Sequence, residues 1–244
     1  MKLFTLAAAV VVLGPSMIAT SAMADDKWIV LSDDLKAWQQ PAGDWYLAGN
    51  AHVDPQNDRR LSGEPGHGVL INGKEGRTKD LLTRQRWSDV EIRLEFMIPR
   101  RSNSGVKLEG VYEVQIVDTW KVAKPKGYDC GGIYPRAELK PKYHHIDDGI
   151  APLTNAAKQP GQWQTLEIVF RAPRFDAQSE KVRNAQFEKV VLNGKLIHDH
   201  VEVEHPTGHI WREKEHPAGP LLLQADHGPV AFRNVRLRPL PAAQ

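Results

Sequence analysis

The sequence predicts an all-β protein in which two antiparallel sheets pack face to face as a jelly-roll sandwich. Three observations predict it. Several segments alternate apolar and polar residues with the period of two that a half-buried strand requires. Glycine and proline, 19 and 17 of them, punctuate the chain throughout. Helical periodicity is convincing nowhere beyond one short candidate, "SDDLKAW" at 32–38. Strands with one apolar face each, separated by turn signals, bury those faces by stacking two sheets.

The first element in the chain is a leader, set apart from the fold. Lys2 supplies a positive start, "LFTLAAAVVVLGPSMIA" an apolar stretch, and Ala22-Met23-Ala24 a small-x-small cleavage signal. Residues 1–24 read as a signal peptide and 25–244 as one domain, so export to the periplasm or the medium is expected. Gly14-Pro15 breaks the apolar run and no stop-transfer segment follows it, so no membrane span is expected. The mature chain of 220 residues, 244 less 24, is long enough for a full sandwich core. Its charge is close to balanced, with 32 Lys and Arg against 30 Asp and Glu in the full chain and no basic block. That balance gives no support to nucleic-acid binding. The single cysteine, Cys130, leaves no internal disulfide to form.

The strands follow. "DVEIRLEFMI" (89–98) sets Ile92, Leu94 and Phe96 against Glu91, Arg93 and Glu95. "VYEVQIV" (111–117) sets Tyr112, Val114 and Ile116 against Glu113 and Gln115, and "TLEIVFRA" (165–172) buries Leu166, Ile168 and Phe170. In "KVVLNGKLIHDHVEV" (189–203), Asn193-Gly194 suits the positive φ values of a type I′ hairpin turn. "PLLLQADHG" (220–228) and "VAFRNVRLRPL" (230–240) read as a second strand pair. Between them, residues 121–159 alternate nowhere for long and carry Tyr128, Tyr134, Tyr143, His144 and His145, which points to an ordered covering loop.

For the chemistry, Glu95, Glu113 and Gln115 stand on the polar faces of their strands. A solvated outer position is the default for such a carboxylate. Against it, an Asn-Ser-Gly turn precedes Glu113, an aromatic loop follows, and Gln115 adds a fixed amide, a mixture that suits a polyol. Glu113 and Asp118 are five apart, so on a regular strand they face opposite sides and do not form the close carboxyl pair of a retaining glucanase. "HHIDD" (144–148), "HDH" (198–200) and "DHG" (226–228) offer imidazoles and carboxylates without a diagnostic metal spacing. Among them His227, at a strand end before Gly228, is placed to project into a groove. Seven tryptophans keep a carbohydrate-binding module open as an alternative, with no more than about two of them on a ligand. Phosphate loops, G-x-S-x-G and paired C-x-x-C are absent.

Five blocks in order, "NSGVKLEGVYEVQIVD", "GGIYP", "NAAKQPGQWQTLEIVFRAPRFD", "VVLNGKLIHDHVEVEHPTG" and "GPLLLQADHGPVAFRNVRLRPL", resemble the 3-keto-disaccharide hydrolase domain family. The resemblance runs from about Trp28 to Leu240. It implies a concanavalin A-like jelly roll acting on glycosides oxidised at C3. A C3 ketone acidifies the C2 hydrogen, so one base, one proton donor and one enolate stabiliser suffice for elimination followed by hydration. The resemblance leaves Glu113 or His227 as base, Tyr134 or Glu95 as acid, and Arg84, Gln115 or a divalent metal ion as stabiliser. Asn103 and Gln224 join Arg84 and Gln115 as substrate-binding candidates. Two positions depart from the family pattern: Val111, where many relatives carry Arg, and Lys107, where an apolar or aromatic residue is common. A conventional glycosidase and a non-catalytic module are the alternatives.

Overall fold

The computed structural model describes residues 27–241, so the leader lies outside the described residues. Its strands in chain order are β1 (Ile29–Val30), β2 (Tyr46–Asp54), β3 (Asn57–Ile71), β4 (Leu81–Leu82), β5 (Val90–Met97), β6 (Asn103–Leu108), β7 (Tyr112–Val117) and β8 (Ala137–Glu138). There follow β9 (His144–His145), β10 (Gln164–Arg171), β11 (Arg174–Phe175), β12 (Lys181–Arg183), β13 (Ala185–Leu192), β14 (Lys195–Val203), β15 (Leu222–Leu223) and β16 (Ala231–Pro239).

These strands form an antiparallel jelly-roll sandwich. The large sheet runs β14-β13-β10-β5-β16-β3-β2, with β1 on β16, and the small one runs β4-β15-β6-β7. The alternating residues meet between them: Ile92, Leu94 and Phe96 from β5, Leu166, Ile168 and Phe170 from β10, and Tyr112, Val114 and Ile116 from β7 belong to one buried cluster. Among the described residues there is no helix, and none long and apolar enough to cross a membrane.

Three expectations need correction or sharpening. "SDDLKAW" forms bends and a turn instead of a helix. Trp38 is fully buried, donates from Nε1 to the Leu31 carbonyl at 2.9 Å, and bridges Thr83 in extended backbone. Tertiary packing thus outweighs a weak local preference. The segments 220–228 and 230–240 do not pair with each other: β15 joins β4 and β6, whereas β16 joins β3 and β5. The chain crosses between sheets there, so the two runs feed opposite walls of the core. The hairpin of β13 and β14 does form, with Asn193 at φ 51° and Gly194 at φ 78°.

Residues 121–159 are ordered against the small sheet. Gly131 N donates to the Gln115 carbonyl and Gln115 N to that of Gly132, both at 2.8 Å, and Tyr134 N donates to the Glu113 carbonyl at 3.1 Å. The segment therefore runs along the free edge of β7. Asn155 anchors its far end through Nδ2 on the Thr119 and Val122 carbonyls, and β8 pairs with β9 at its tip.

Candidate active site

The hairpin of β6 and β7 builds the floor of the site. Its register sets Lys107 opposite Glu113 and Gly105 opposite Gln115. Since Tyr112, Val114 and Ile116 enter the core, Glu113 and Gln115 must emerge on the other face. They do so, but not into open solvent: each is only 3% exposed, in a narrow cleft whose walls include Tyr134, Gly208 and Gln224. The default outer-face reading therefore fails at both positions.

Gly105 explains how a glutamate fits there. A Cβ at this position would stand 2.2 Å from Glu113 Oε1, so the carboxyl fills the space that any other residue's side chain would take. On its other side Glu113 Oε2 meets Lys107 Nζ at 3.3 Å. Burial raises the Glu113 carboxyl above its usual range, while the Lys107 ammonium works in the opposite direction. The result is a carboxylate of raised basicity held beside a cation.

Around this pair lies a cleft of about 130 Å³ lined by Asp80, Asn103, Lys107, Glu113, Gln115, Tyr134 and the buried Gln224, with the exposed Tyr143, Asp226 and His227 at its rim. Three larger hollows, of about 460, 250 and 530 Å³, open on the surface as well. Size does not decide between them, because among these surface hollows it is the small cleft that is lined by buried acceptors left without a partner. Asn103 Oδ1 and Gln224 Oε1 are both buried and accept no hydrogen bond from the protein. A buried carbonyl oxygen without a donor costs stability unless a ligand or water supplies one. Sugar hydroxyls are such donors.

The aromatic side is equally built. Tyr134 Oη lies 2.9 Å from Tyr143 Oη and 3.0 Å from His145 Nε2. The His145 ring stacks on Tyr128 and meets Tyr134 and Tyr143 edge-on. Burial first, then the contact with Tyr143, pushes the Tyr134 phenol far up, so it keeps its proton. Burial pushes His145 down, which favours the neutral ring. His227 hydrogen-bonds Asp226 through Nδ1 and stands exposed at the rim.

Of the sequence candidates, Glu113, His227, Tyr134, Asn103, Gln115 and Gln224 share this cleft. Glu95 and Arg84 do not. Glu95 lies on β5 of the large sheet, where Arg233 donates to its Oε2 from Nε at 2.9 Å and Asn234 binds its Oε1. It faces the outer surface because β5 turns its apolar alternates toward the core. Arg84 donates from Nε to the Trp38 carbonyl at 2.8 Å and so pins the N-terminal segment to β4. Asp118 accepts from Arg101 N at 2.8 Å, away from the cleft, as parity requires. None of the seven tryptophans lines the cleft. Among the described residues no three His, Cys, Asp or Glu side chains gather as a metal site. His198 of "HDH" is buried and bonds the Gly131 carbonyl at 2.7 Å, which supports the covering segment.

Sequence reasoning noted Lys107, Tyr143 and Asp226 without assigning them to the site, and missed Asp80 and His209 altogether. Lys107 was recoverable, since folding "KLEGVYE" as a hairpin around Glu109 to Val111 places it opposite Glu113. Asp80 carried no local signal; it arrives from a distant strand and accepts from Ala225 N at 2.8 Å.

A model of the family described as 3-keto-alpha-glucoside-1,2-lyase-like domain matches residues 27–238. A crystal structure of a "putative glycosyl hydrolase" from Parabacteroides distasonis is 26% identical with a TM-score of 0.64, covering 88% of this chain and 84% of that one. A second of the same description and organism is 21% identical with a TM-score of 0.48, covering 80% and 99%. No curated protein matches the chain.

Proposed function

The chain belongs to the 3-keto-alpha-glucoside-1,2-lyase-like domain family, and from that premise we propose that it is an exported enzyme cleaving the glycosidic bond of 3-keto-glycosides by elimination. The observation that carries the reading is Glu113: a buried carboxylate, raised in basicity, opening into a cleft in which two further buried acceptors, Asn103 Oδ1 and Gln224 Oε1, have no protein donor. A sugar oxidised at C3 asks for one strong base in place of a matched acid and nucleophile pair; of the carboxylates lining the cleft, Glu113, Asp80 and Asp226, Glu113 is the one buried against a cation.

In the proposed reaction Glu113 takes the C2 proton, and the electron pair of that bond passes to C2 and C3 as an enolate. When the C3 carbonyl re-forms, a double bond forms between C1 and C2 and the C1–O bond breaks. The leaving oxygen takes a proton from Tyr134, whose phenol is held protonated for that purpose. Water then adds across that double bond, its oxygen to C1 and a proton from Glu113 to C2, while the proton that the water loses restores Tyr134; the sum is net hydrolysis with no change of oxidation state. Asn103 and Gln224 accept from ring hydroxyls. Gln115 Oε1 already accepts from Ile116 N, so its amide N–H groups are the part left for substrate. Glu95 and Arg84 have no part in this scheme.

The test is to incubate the mature protein, with divalent cations supplied, with a 3-keto-glycoside and with its unoxidised parent. Cleavage of the oxidised sugar alone is the expected result. Cleavage of the parent would make the protein a conventional glycosidase, and binding of either sugar without turnover would make it a carbohydrate-binding module.

A further inference from the structure

The enolate in that scheme needs a partner; Arg84 stands outside the cleft, and Gln115, which lines it, offers a neutral amide and no charge. We propose that Lys107 is a catalytic residue, its ammonium taking the charge that develops on the C3 oxygen while Glu113 holds the C2 proton. The inference rests on the elimination reading above.

Four observations support it. Lys107 is fixed opposite Glu113 by the β6 to β7 register, so strand pairing sets the geometry of the two groups. Its Nζ lies 3.3 Å from Glu113 Oε2, and its side chain is 14% exposed at the cleft wall. In the substrate, the C2 hydrogen and the C3 oxygen sit on adjacent carbons. A base and an oxyanion donor that serve them together must themselves be neighbours. Finally, an ammonium carries three N–H donors, and the described residues occupy one of them, on Glu113, leaving two for the substrate oxygen.

The charges also move in the direction catalysis needs. Before reaction the ammonium stabilises the Glu113 carboxylate. As the proton arrives on Glu113 that carboxylate becomes neutral, and negative charge appears on the C3 oxygen beside the same cation. One fixed positive charge thus follows the negative charge from base to substrate with no rearrangement of the site, which is the preorganisation that makes oxyanion stabilisation effective in a water-poor cleft. Asp80, Tyr134, Tyr143, His209, Asp226 and His227 are the other titratable groups lining the cleft, and Glu113 feels His227 and Asp80 with opposite signs.

The experiment measures turnover of a 3-keto-glycoside across pH by the intact mature protein and by Lys107→Met, with Lys107→Gln, which keeps a donor to Glu113, used if the first does not fold. Loss of the cation should lower kcat about 100-fold or more with a smaller change in KM. It should also shift the acidic limb of kcat/KM to higher pH, because Glu113 then ionises less readily. In D2O, a 3-keto sugar lacking a C1 leaving group should exchange its C2 hydrogen with the parent enzyme, and the exchange should fall in parallel in the variant. A purely structural role would move none of these in a folded variant. Normal kcat and an unmoved acidic limb would overturn the role of Lys107 alone, as would a borohydride-trapped adduct on Lys107, which would make it a nucleophile. Absence of turnover by the parent protein would overturn the elimination reading and this inference with it.

Discussion

Glu109→Gln should stabilise the protein, and increasingly so as pH rises. Glu109 sits at φ 54° in the turn between β6 and β7, against a small internal hollow walled by Trp87, Leu108, Phe170 and Leu237. Both of its carboxyl oxygens are buried without a hydrogen-bond partner. Burial, opposed by Arg86 and assisted by Glu215, pushes the carboxyl up from the usual 4.5 to about 8. The folded state therefore binds this proton more tightly than the unfolded chain. The stability it contributes is complete below about pH 4.5, declines as pH climbs, and is gone above about pH 8. At 1.36 kcal/mol per unit, the loss is about 1 kcal/mol at pH 5, about 3 at pH 7 and about 5 at pH 9. Glutamine has the same shape and no charge, so its variant escapes the decline. The readout is the difference in unfolding free energy between variant and parent, from urea unfolding at the three pH values. Taking the change in that difference between pH 5 and pH 9 cancels any constant packing effect, and about 4 kcal/mol is expected, on the order of 10 °C in melting temperature. Parallel stability curves for the two proteins would refute the reasoning.

The other outcomes are simpler. Glu113→Gln should lower kcat on a 3-keto-glycoside by about two orders of magnitude or more with its folded circular dichroism retained; near-normal turnover removes it as base. Gly105→Ala places a methyl group where Glu113 Oε1 now lies, and should cost activity by displacing the carboxyl while Lys107→Met in the same background adds little further loss. Tyr134→Phe should slow cleavage of substrates with poor leaving groups far more than those with good ones, since the latter need no proton donor. Glu95→Gln, on the outer face of the large sheet, should leave turnover unchanged and cost about 1 kcal/mol or less of stability, measured by the same urea unfolding.

Much of the sandwich was legible because burial writes itself into alternation: β5, β7 and β10 each carry three consecutive alternate apolar residues, and each lies in the core. The hairpin of β2 and β3 was not legible. Its second strand contains "GEPGHG", in which Gly63 and Glu64 pair with Ala51 and Asn50 while Pro65 to Gly68 bulge out before Val69 pairs with Ala48. Pairing on both sides of that bulge joins into one strand what local preference alone would read as two. The site divides the same way. Glu113 and Gln115 could be placed on one face from parity, and Lys107 follows from the hairpin turn. Asp80, Gln224 and His227 reach the cleft only because β4 and β15 insert beside β6, a long-range event that no short window of sequence records. Glu95 illustrates the converse: parity put it on a polar face correctly, but parity cannot say to which sheet that face belongs.

The covering segment along β7 has one more consequence. A strand at the rim of a sheet offers unpaired amides and carbonyls to any other chain, and β7 would be such a rim. Gly131, Gly132 and Tyr134 occupy its hydrogen-bonding groups instead. The backbone that delivers the phenol to the cleft is therefore also the guard against edge-to-edge self-association. Deletions in residues 121–159 should turn a monodisperse protein into an aggregating one, and a screen for active variants of this segment would select for solubility at the same time.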